Sequence, residues 1–174
     1  NVSSQKLCEA VKADVDALKK QVAQYNVEKV YVGTLPDEVI DSTQMLVLSP
    51  GVPTDTEFVH KFRENGAVIL GEIELGYQVA KGRLIGITGT NGKTTTTTLV
   101  GQIMEEYFGN TFVVGNIGNP YTLEAMKTNE DSVTVAEISS FQLETIEKFH
   151  PKVSAILNIT PDHLDRHHTM ENYV

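Results

Sequence analysis

The chain has 174 residues, enough for one ordinary domain or two small ones. Apolar residues make up 40% and charged residues 21%, the balance of a soluble globular protein, and no apolar run approaches the ~20 residues of a membrane span. Lys and Arg number 14 against 23 Asp and Glu, a formal net charge of −9 with no basic cluster. That balance argues against nucleic acid as a partner and leaves any anionic ligand to be held by local devices.

The elements follow in chain order. Apolar residues at Leu7, Val11, Val15, Leu18 and Val22 predict a helix over residues 4–24. Val27 to Val32 is rich in strand formers and Gly33 ends it; Met45 to Leu48 reads as a short buried strand closed by Ser49-Pro50-Gly51-Val52-Pro53. A helix is predicted from Asp55 to Asn65 with Gly66 as its stop, then a strand from Ala67 to Leu70 and a helix from Ile73 to Val79. Lys81-Gly82 is a plausible joint. Beyond it come a strand ending near Thr88, a helix with Leu99, Val100, Ile103, Met104 and Tyr107 on one face, and a strand from Thr111 to Val114. A helix over Tyr121 to Lys127, a strand over Ser132 to Ala136 and a strand over Val153 to Ile159 complete the pattern. Strands alternating with helices imply an α/β fold with two parallel-sheet units, residues 1–82 and 83–174.

The sharpest signal is Arg83 to Thr95, where an apolar strand runs into Gly89-Thr90-Asn91-Gly92-Lys93-Thr94-Thr95 and then a helix. Glycines let backbone N–H groups approach a phosphate, the helix start adds positive potential, the lysine reaches β/γ-phosphates, and a Thr94 hydroxyl can ligate Mg²⁺. The chain is therefore expected to bind ATP or GTP. The general pattern G-x-x-x-x-G-K-[ST] is met imperfectly, because Ile87 stands where its first glycine would be. The bland alternative is a glycine turn with an incidental Lys-Thr. Thr96 to Thr98 read as solvated or locally packed.

In an open parallel sheet, ligands bind beyond the carboxyl ends of the strands. Four polar clusters sit at such ends and should converge on one crevice: Gly89 to Thr94, Gly115 to Asn119, Glu137 to Gln142, and Asn158 to His168. Glu137, at the end of a strand, is a candidate Mg²⁺ ligand, with an ordinary exposed glutamate as the alternative. His163, in the dense run Asp162-His163-Leu164-Asp165-Arg166-His167-His168, is a candidate ligand for a second Mg²⁺ or Mn²⁺; zinc spacing is absent. Arg166 could contact a phosphate or a nucleotide, while His167 and His168 read as surface residues, and His60 and His150 as structural or surface ones. The Ser49-Pro50-Gly51 turn could offer N–H groups to an anion or be a simple turn. The lone Cys8 excludes an internal disulfide and fits a reducing, cytoplasmic setting. The polar start and the stop at Glu171-Asn-Tyr-Val read as the ends of a fragment of a longer chain.

Taken in order, Gly89-Thr-Asn-Gly-Lys-Thr-Thr, Gly115-Asn-Ile-Gly118, Glu137-Ile-Ser-Ser and Asp162-His-Leu-Asp-Arg-His167 resemble the Mur ligases, ATP-dependent amide ligases of peptidoglycan precursor synthesis. Glu137-Ile-Ser-Ser-Phe-Gln-Leu-Glu144, Leu157-Asn-Ile-Thr-Pro-Asp-His163 and Ser49-Pro-Gly-Val-Pro53 are most similar to the D-glutamate-adding members. The resemblance implies a partial Rossmann-like UDP-sugar-binding domain over 1–82 and the first part of a P-loop ATP-binding domain over 83–174. It implies UDP-N-acetylmuramoyl-L-alanine and D-glutamate as substrates, ATP with two Mg²⁺ ions, a monomer when complete, and an inactive fragment when alone. Lys93 and residues 89–95 would hold ATP, Thr94 and Glu137 the first Mg²⁺, and His163 the second. Gly51 would face the uridine diphosphate, and Asn116, Ser139 and Phe141 the junction of the two nucleotides, with Lys93, Asn116 and His163 as the catalytic set. The alternatives are another Mur or folylpolyglutamate-type ligase, a P-loop NTPase without ligase activity, and a non-catalytic sugar-nucleotide-binding module.

Overall fold

The computed structural model describes residues 15–20, 22–25 and 27–174. The chain divides into two compact units, residues 1–42 and 43–174. In the first unit, residues 15–20 and 22 are helical, as the spacing of Val15, Leu18 and Val22 predicts; residues 4–14 and 21 of that predicted helix lie outside the described residues. Residues 27–32 form no strand, contrary to their composition. Strand propensity expresses packing on a pleated neighbour, and here Val27, Tyr31 and Val32 are exposed. Helix α1 (Asp37–Ser42) ends this unit.

The second unit begins with a two-stranded parallel sheet of β1 (Met45–Leu48) and β2 (Val68–Gly71), in register from Met45 opposite Val68 to Leu48 opposite Gly71. The crossover is α2 (Glu57–Glu64), whose start is capped by the Thr56 hydroxyl accepting from the Val59 N–H at 3.4 Å. Val59 and Phe62 are its buried residues. Helix α3 (Glu72–Val79) follows β2 directly.

The larger sheet has four parallel strands, β3 (Arg83–Thr88), β4 (Thr111–Gly115), β5 (Val133–Glu137) and β6 (Val153–Ile156), in the order β4-β5-β3-β6. Helix α4 (Lys93–Phe108) connects β3 to β4, α5 (Tyr121–Ala125) connects β4 to β5, and α6 (Ser140–Leu143) lies between β5 and β6. Two short helices, α7 (Leu164–His167) and α8 (Met170–Tyr173), come last. All five residues of β5 are buried, as expected of a strand covered on both faces. One core cluster joins Ile73, Leu84, Val114, Tyr121, Ala125, Ala136 and Ile138; another joins Ile87, Val133 and Val135 beneath Val100 and Met104. Burial pushes the Tyr121 hydroxyl up to about 12, so the ring sits neutral in the first cluster.

Helix α4 packs on a different face from the one its apolar residues suggest. Thr97 and Gly101 are buried and Val100 and Met104 half-buried, whereas Leu99, Ile103 and Tyr107 are exposed. The cause is a close approach: a Cβ on Gly101 would overlap the Val113 side chain. Thr97, Val100, Gly101 and Met104 stand at helical spacing, and this narrower stripe of small and medium residues meets the sheet. Thr97, expected to be solvated or locally packed, is fully buried, and its Oγ1 has no hydrogen-bond partner.

Helix α3 is fastened to the larger sheet by carboxylates. Glu72 Oε1 accepts from the N–H and the hydroxyl of Thr122, each at 2.7 Å. The buried Glu74 accepts from the main-chain N–H groups of Glu147, Lys148 and Phe149 and from the Gln78 amide. Burial works to raise its pKa, but the three main-chain donors and Gln78 outweigh it and hold the carboxyl below its ordinary value.

Candidate active site

The register of the larger sheet brings the strand ends level: Ile87 pairs with Glu137, Gly115 pairs with Glu137, and Thr88 pairs with Ile156. The four polar clusters therefore leave the sheet on the same side. A cavity of about 360 Å³ is lined there by Thr88, Gly89 and Lys93 around the end of β3, Asn116 after β4, Ser139 to Phe141 after β5, and Asn158, Ile159, Asp162 and His163 after β6. An adjoining cavity of about 490 Å³ is lined by Ser49, Pro50, Glu72, Asn116, Gly118 and Gln142, so Asn116 stands on both.

The glycine loop turns through two positive φ angles, +136° at Gly89 and +85° at Gly92, which L side chains rarely adopt. A Cβ on Gly89 would also stand 3.0 Å from the carbonyl oxygen of Asn158. Lys93 Nζ folds back to donate to the carbonyls of Gly89 at 2.7 Å and Thr90 at 3.0 Å, which keeps its ammonium over the loop.

The loop amides divide into two groups. The Thr90 N–H donates to Asn158 O and the Asn91 N–H to Asn158 Oδ1. The Thr90 hydroxyl accepts from the Thr160 N–H at 3.0 Å and lies 2.8 Å from the Tyr173 hydroxyl. Thr90 and Asn91 are thus engaged with the segment after β6 and brace the loop. The first N–H groups of α4, beginning at Lys93, Thr94 and Thr95, have no intrahelical partner, and its N-cap, Gly92, supplies no side-chain bond. This later set has the geometry that suits an anion at a helix start. The Thr94 and Thr95 side chains are exposed at the same helix start.

Glu137 is the last residue of β5 and only 1% exposed. Its Oε1 accepts from Asn116 Nδ2 at 2.8 Å, while its Oε2 is buried without a partner. A buried carboxylate oxygen with no donor is costly unless a cation or donor meets it. Glu137 therefore fits a divalent cation. Among the described residues no three His, Cys, Asp or Glu form a metal cage. Mg²⁺ does not need one, since it commonly takes one or two protein oxygens together with waters and phosphate oxygens.

His163 lines the first of these cavities, beside Lys93 and Asn116, with its side chain half-exposed. Its backbone is left-handed at φ +50°, its N–H donates to Asp162 Oδ1 at 2.9 Å, and its ring lies 4.8 Å from that of Phe141. Ser139 forms a capping box with Gln142 and starts α6. Gly51 sits in the exposed turn after β1, where the Val52 N–H donates to Ser49 O, and it lines neither cavity.

Two residues of the last cluster differ from expectation. Arg166 is engaged within the protein: Nη2 and Nε donate to Glu144 at 2.7 and 3.3 Å, and the guanidinium lies over the Phe141 ring at 4.8 Å. A bidentate carboxylate is a stronger partner than solvent for a half-buried guanidinium. His167, read as a surface residue, is 7% exposed, with Nε2 2.9 Å from Ser140 Oγ and its ring beside Phe141 and Tyr173. A run of adjacent charged residues carries no signal of which one turns inward. His168 is exposed, as expected.

Family comparison agrees with this architecture. The Mur ligase middle domain matches residues 87–174, from the phosphate-loop strand to the end of the chain. The chain belongs to the Mur ligase family. Among curated Mur ligases it is 61% identical over 148 residues to the UDP-N-acetylmuramoylalanine–D-glutamate ligase of Lachnospira eligens, covering 85% of this chain and 33% of that protein. It is 54% identical over 147 residues to the ligase of the same name from Clostridioides difficile, covering 84% of this chain and 32% of the relative. With that of Alkaliphilus oremlandii it shares 48% over 174 residues, 99% of this chain and 37% of the relative. The chain spans about a third of the length of the curated relatives it matches. No helix among the described residues is long and apolar enough to cross a membrane.

Proposed function

We propose that this chain is part of an ATP-dependent ligase that joins D-glutamate to UDP-N-acetylmuramoyl-L-alanine, giving ADP and phosphate. The observation that carries the reading is the meeting of four strand-end clusters around one cavity, with the phosphate loop on one side and Asn116 shared with the neighbouring cavity. The names of the relatives supply the substrates. Residues 1–82 are assigned to the sugar-nucleotide part and 83–174 to the ATP part; the β1-β2 and β4-β5-β3-β6 sheets are separate sheets within the unit of residues 43–174. The complete protein is proposed to be a cytoplasmic monomer.

The chemistry follows from the placement. Lys93 and the amides of Gly92 to Thr95 bind the phosphates of ATP; Lys93 exchanges the Gly89 and Thr90 carbonyls for phosphate oxygens without crossing the site. Glu137 Oε2, with the Thr94 hydroxyl, would hold one Mg²⁺ and His163 a second; bound Mg²⁺ supplies charge neutralisation at the phosphates. Asn116, fixed by Glu137, and Ser139 and Phe141 orient the sugar-linked substrate, with Gly51 assigned to the uridine diphosphate. The substrate carboxylate attacks the γ-phosphorus and releases ADP. The amine of D-glutamate then attacks the acyl phosphate and phosphate leaves. The protein's part is positioning and charge neutralisation.

The test is phosphate release by the full-length protein with ATP and UDP-N-acetylmuramoyl-L-alanine, offering D-glutamate, L-lysine, meso-diaminopimelate and L-alanine separately. Release with D-glutamate alone is expected. Release with another amino acid replaces the acceptor in this reading, and release without any acceptor makes the protein a plain NTPase.

A further inference from the structure

We propose that His167 is a positioning residue for the sugar-nucleotide face of the site, holding Ser140 and Phe141 where the substrate meets them. The inference rests on the ligase reading above. His167 is the buried histidine that this reading leaves without a role, and it touches α6 in two ways. Nε2 and Ser140 Oγ share a hydrogen bond at 2.9 Å, and the imidazole stacks on the Phe141 ring at 5.4 Å with 29° between planes. Both Ser140 and Phe141 line the cavity, and Ser139, the cap of α6, lies next to them.

The ring has little freedom to pivot. Tyr173 stands against it at 5.2 Å, and the Tyr173 hydroxyl is bound to Thr90 in the phosphate loop. Asn172 Nδ2 donates to the His167 carbonyl at 3.1 Å. Glu144 Oε1 lies 3.6 Å from Nδ1, and the same carboxylate is held by Arg166. An acid beside Nδ1 favours the proton there and leaves Nε2 to accept from the Ser140 hydroxyl. Phe141 itself is walled by His163, Arg166 and His167, so its ring position depends on this short stretch of chain. The role uses a flat ring and an acceptor at its edge. Phe supplies the first alone and Gln, through its amide oxygen, the second alone, which makes the contributions separable.

The test compares His167→Ala, His167→Phe and His167→Gln in the full-length protein, reading KM for each substrate, calorimetric affinity for UDP-N-acetylmuramoyl-L-alanine without ATP, and melting temperature. His167→Ala is expected to raise KM and Kd for the sugar nucleotide by about ten-fold while KM for ATP stays within about three-fold. His167→Phe or His167→Gln should recover part of that loss. The inference is overturned if His167→Ala leaves sugar-nucleotide affinity within about two-fold of wild type. It is equally overturned if both KM values and the melting temperature worsen together and neither replacement restores any of them, which is the behaviour of a fold-only residue. A wild-type protein that shows no release of phosphate dependent on the sugar nucleotide would instead remove the ligase reading itself.

Discussion

Asn158 and Asn91 exchange two hydrogen bonds, the Asn91 N–H donating to Asn158 Oδ1 at 2.9 Å and Asn158 Nδ2 donating to the Asn91 carbonyl at 2.8 Å. A side chain after β6 thereby substitutes for a strand neighbour and fixes the tip of the phosphate loop. Each bond contributes about 1 kcal/mol, and the pair about a factor of thirty in the population of the ordered loop. Asn158→Ala is expected to weaken ATP binding by about thirty-fold. Asn158→Asp keeps the acceptor but sets a carboxylate against the Asn91 carbonyl, and should weaken it further. Calorimetric titration with ATP decides; unchanged affinity in both variants rejects the brace.

Lys93→Ala removes the one ammonium folded over the loop. ATP turnover by the full-length protein should fall below a tenth of wild type, because no other residue supplies that charge within the glycine loop. Retention of more than that fraction would reject the assigned role.

Glu137→Gln separates function from stability. The Asn116 bond to Oε1 survives in the amide, while the buried, unpartnered Oε2 is replaced by an amide nitrogen, which cannot ligate a cation. Activity is expected to drop about 100-fold or more, as for loss of a charge-stabilising group. The melting temperature should hold, because one unpartnered buried polar atom replaces another. A parallel fall in both would show that Glu137 is chiefly structural.

Glu74 gives a prediction in pH. Its carboxyl is held below its ordinary value, so its contribution is present above the unfolded-state pKa and is lost as pH falls through the lower, folded value. Wild-type melting temperature should fall on acidification below the ordinary carboxylate range. Glu74→Gln keeps at most part of the three main-chain bonds and should cost about 2–3 kcal/mol at neutral pH. Its acid limb should be shallower. Melting curves across pH for the two proteins check the sign, and parallel limbs would exclude Glu74 as the source.

Gly76 opposes propensity to packing. In a helix interior, Gly→Ala ordinarily gains about 1 kcal/mol. A Cβ at Gly76, however, would stand 2.7 Å from Tyr121 Cβ and Cγ, in the core cluster where α3 meets α5. Overpacking costs about 1–3 kcal/mol, so Gly76→Ala should be destabilising. Chemical denaturation gives the sign.

Features carried by neighbouring residues were legible in the sequence. The strand, glycine loop and helix around Lys93 are contiguous, and β1 lies over Met45–Leu48 as its apolar run predicts. The convergence of the four clusters also followed, because parallel topology alone aligns strand ends. Pairings between distant residues were not legible. Nothing near Glu74 in sequence announces the Phe149 N–H 75 residues later. Arg166 and Glu144 are 22 apart, and the inward turn of His167 depends on Ser140, 27 residues before it. The buried face of α4 is not legible in the sequence because Gly101 gains its contact from the absence of a side chain, which a pattern of apolar residues cannot register.

The sheet order β4-β5-β3-β6 has a consequence in time. The phosphate loop is made early, but its brace at Thr160 is made 70 residues after Thr90. At the ribosome's pace of about 5–20 residues per second, the loop emerges several seconds before the segment that fixes it. A nascent chain therefore gains a firm grip on nucleotide only when β6 slots in beside β3. Nucleotide capture during synthesis would report the arrival of that strand.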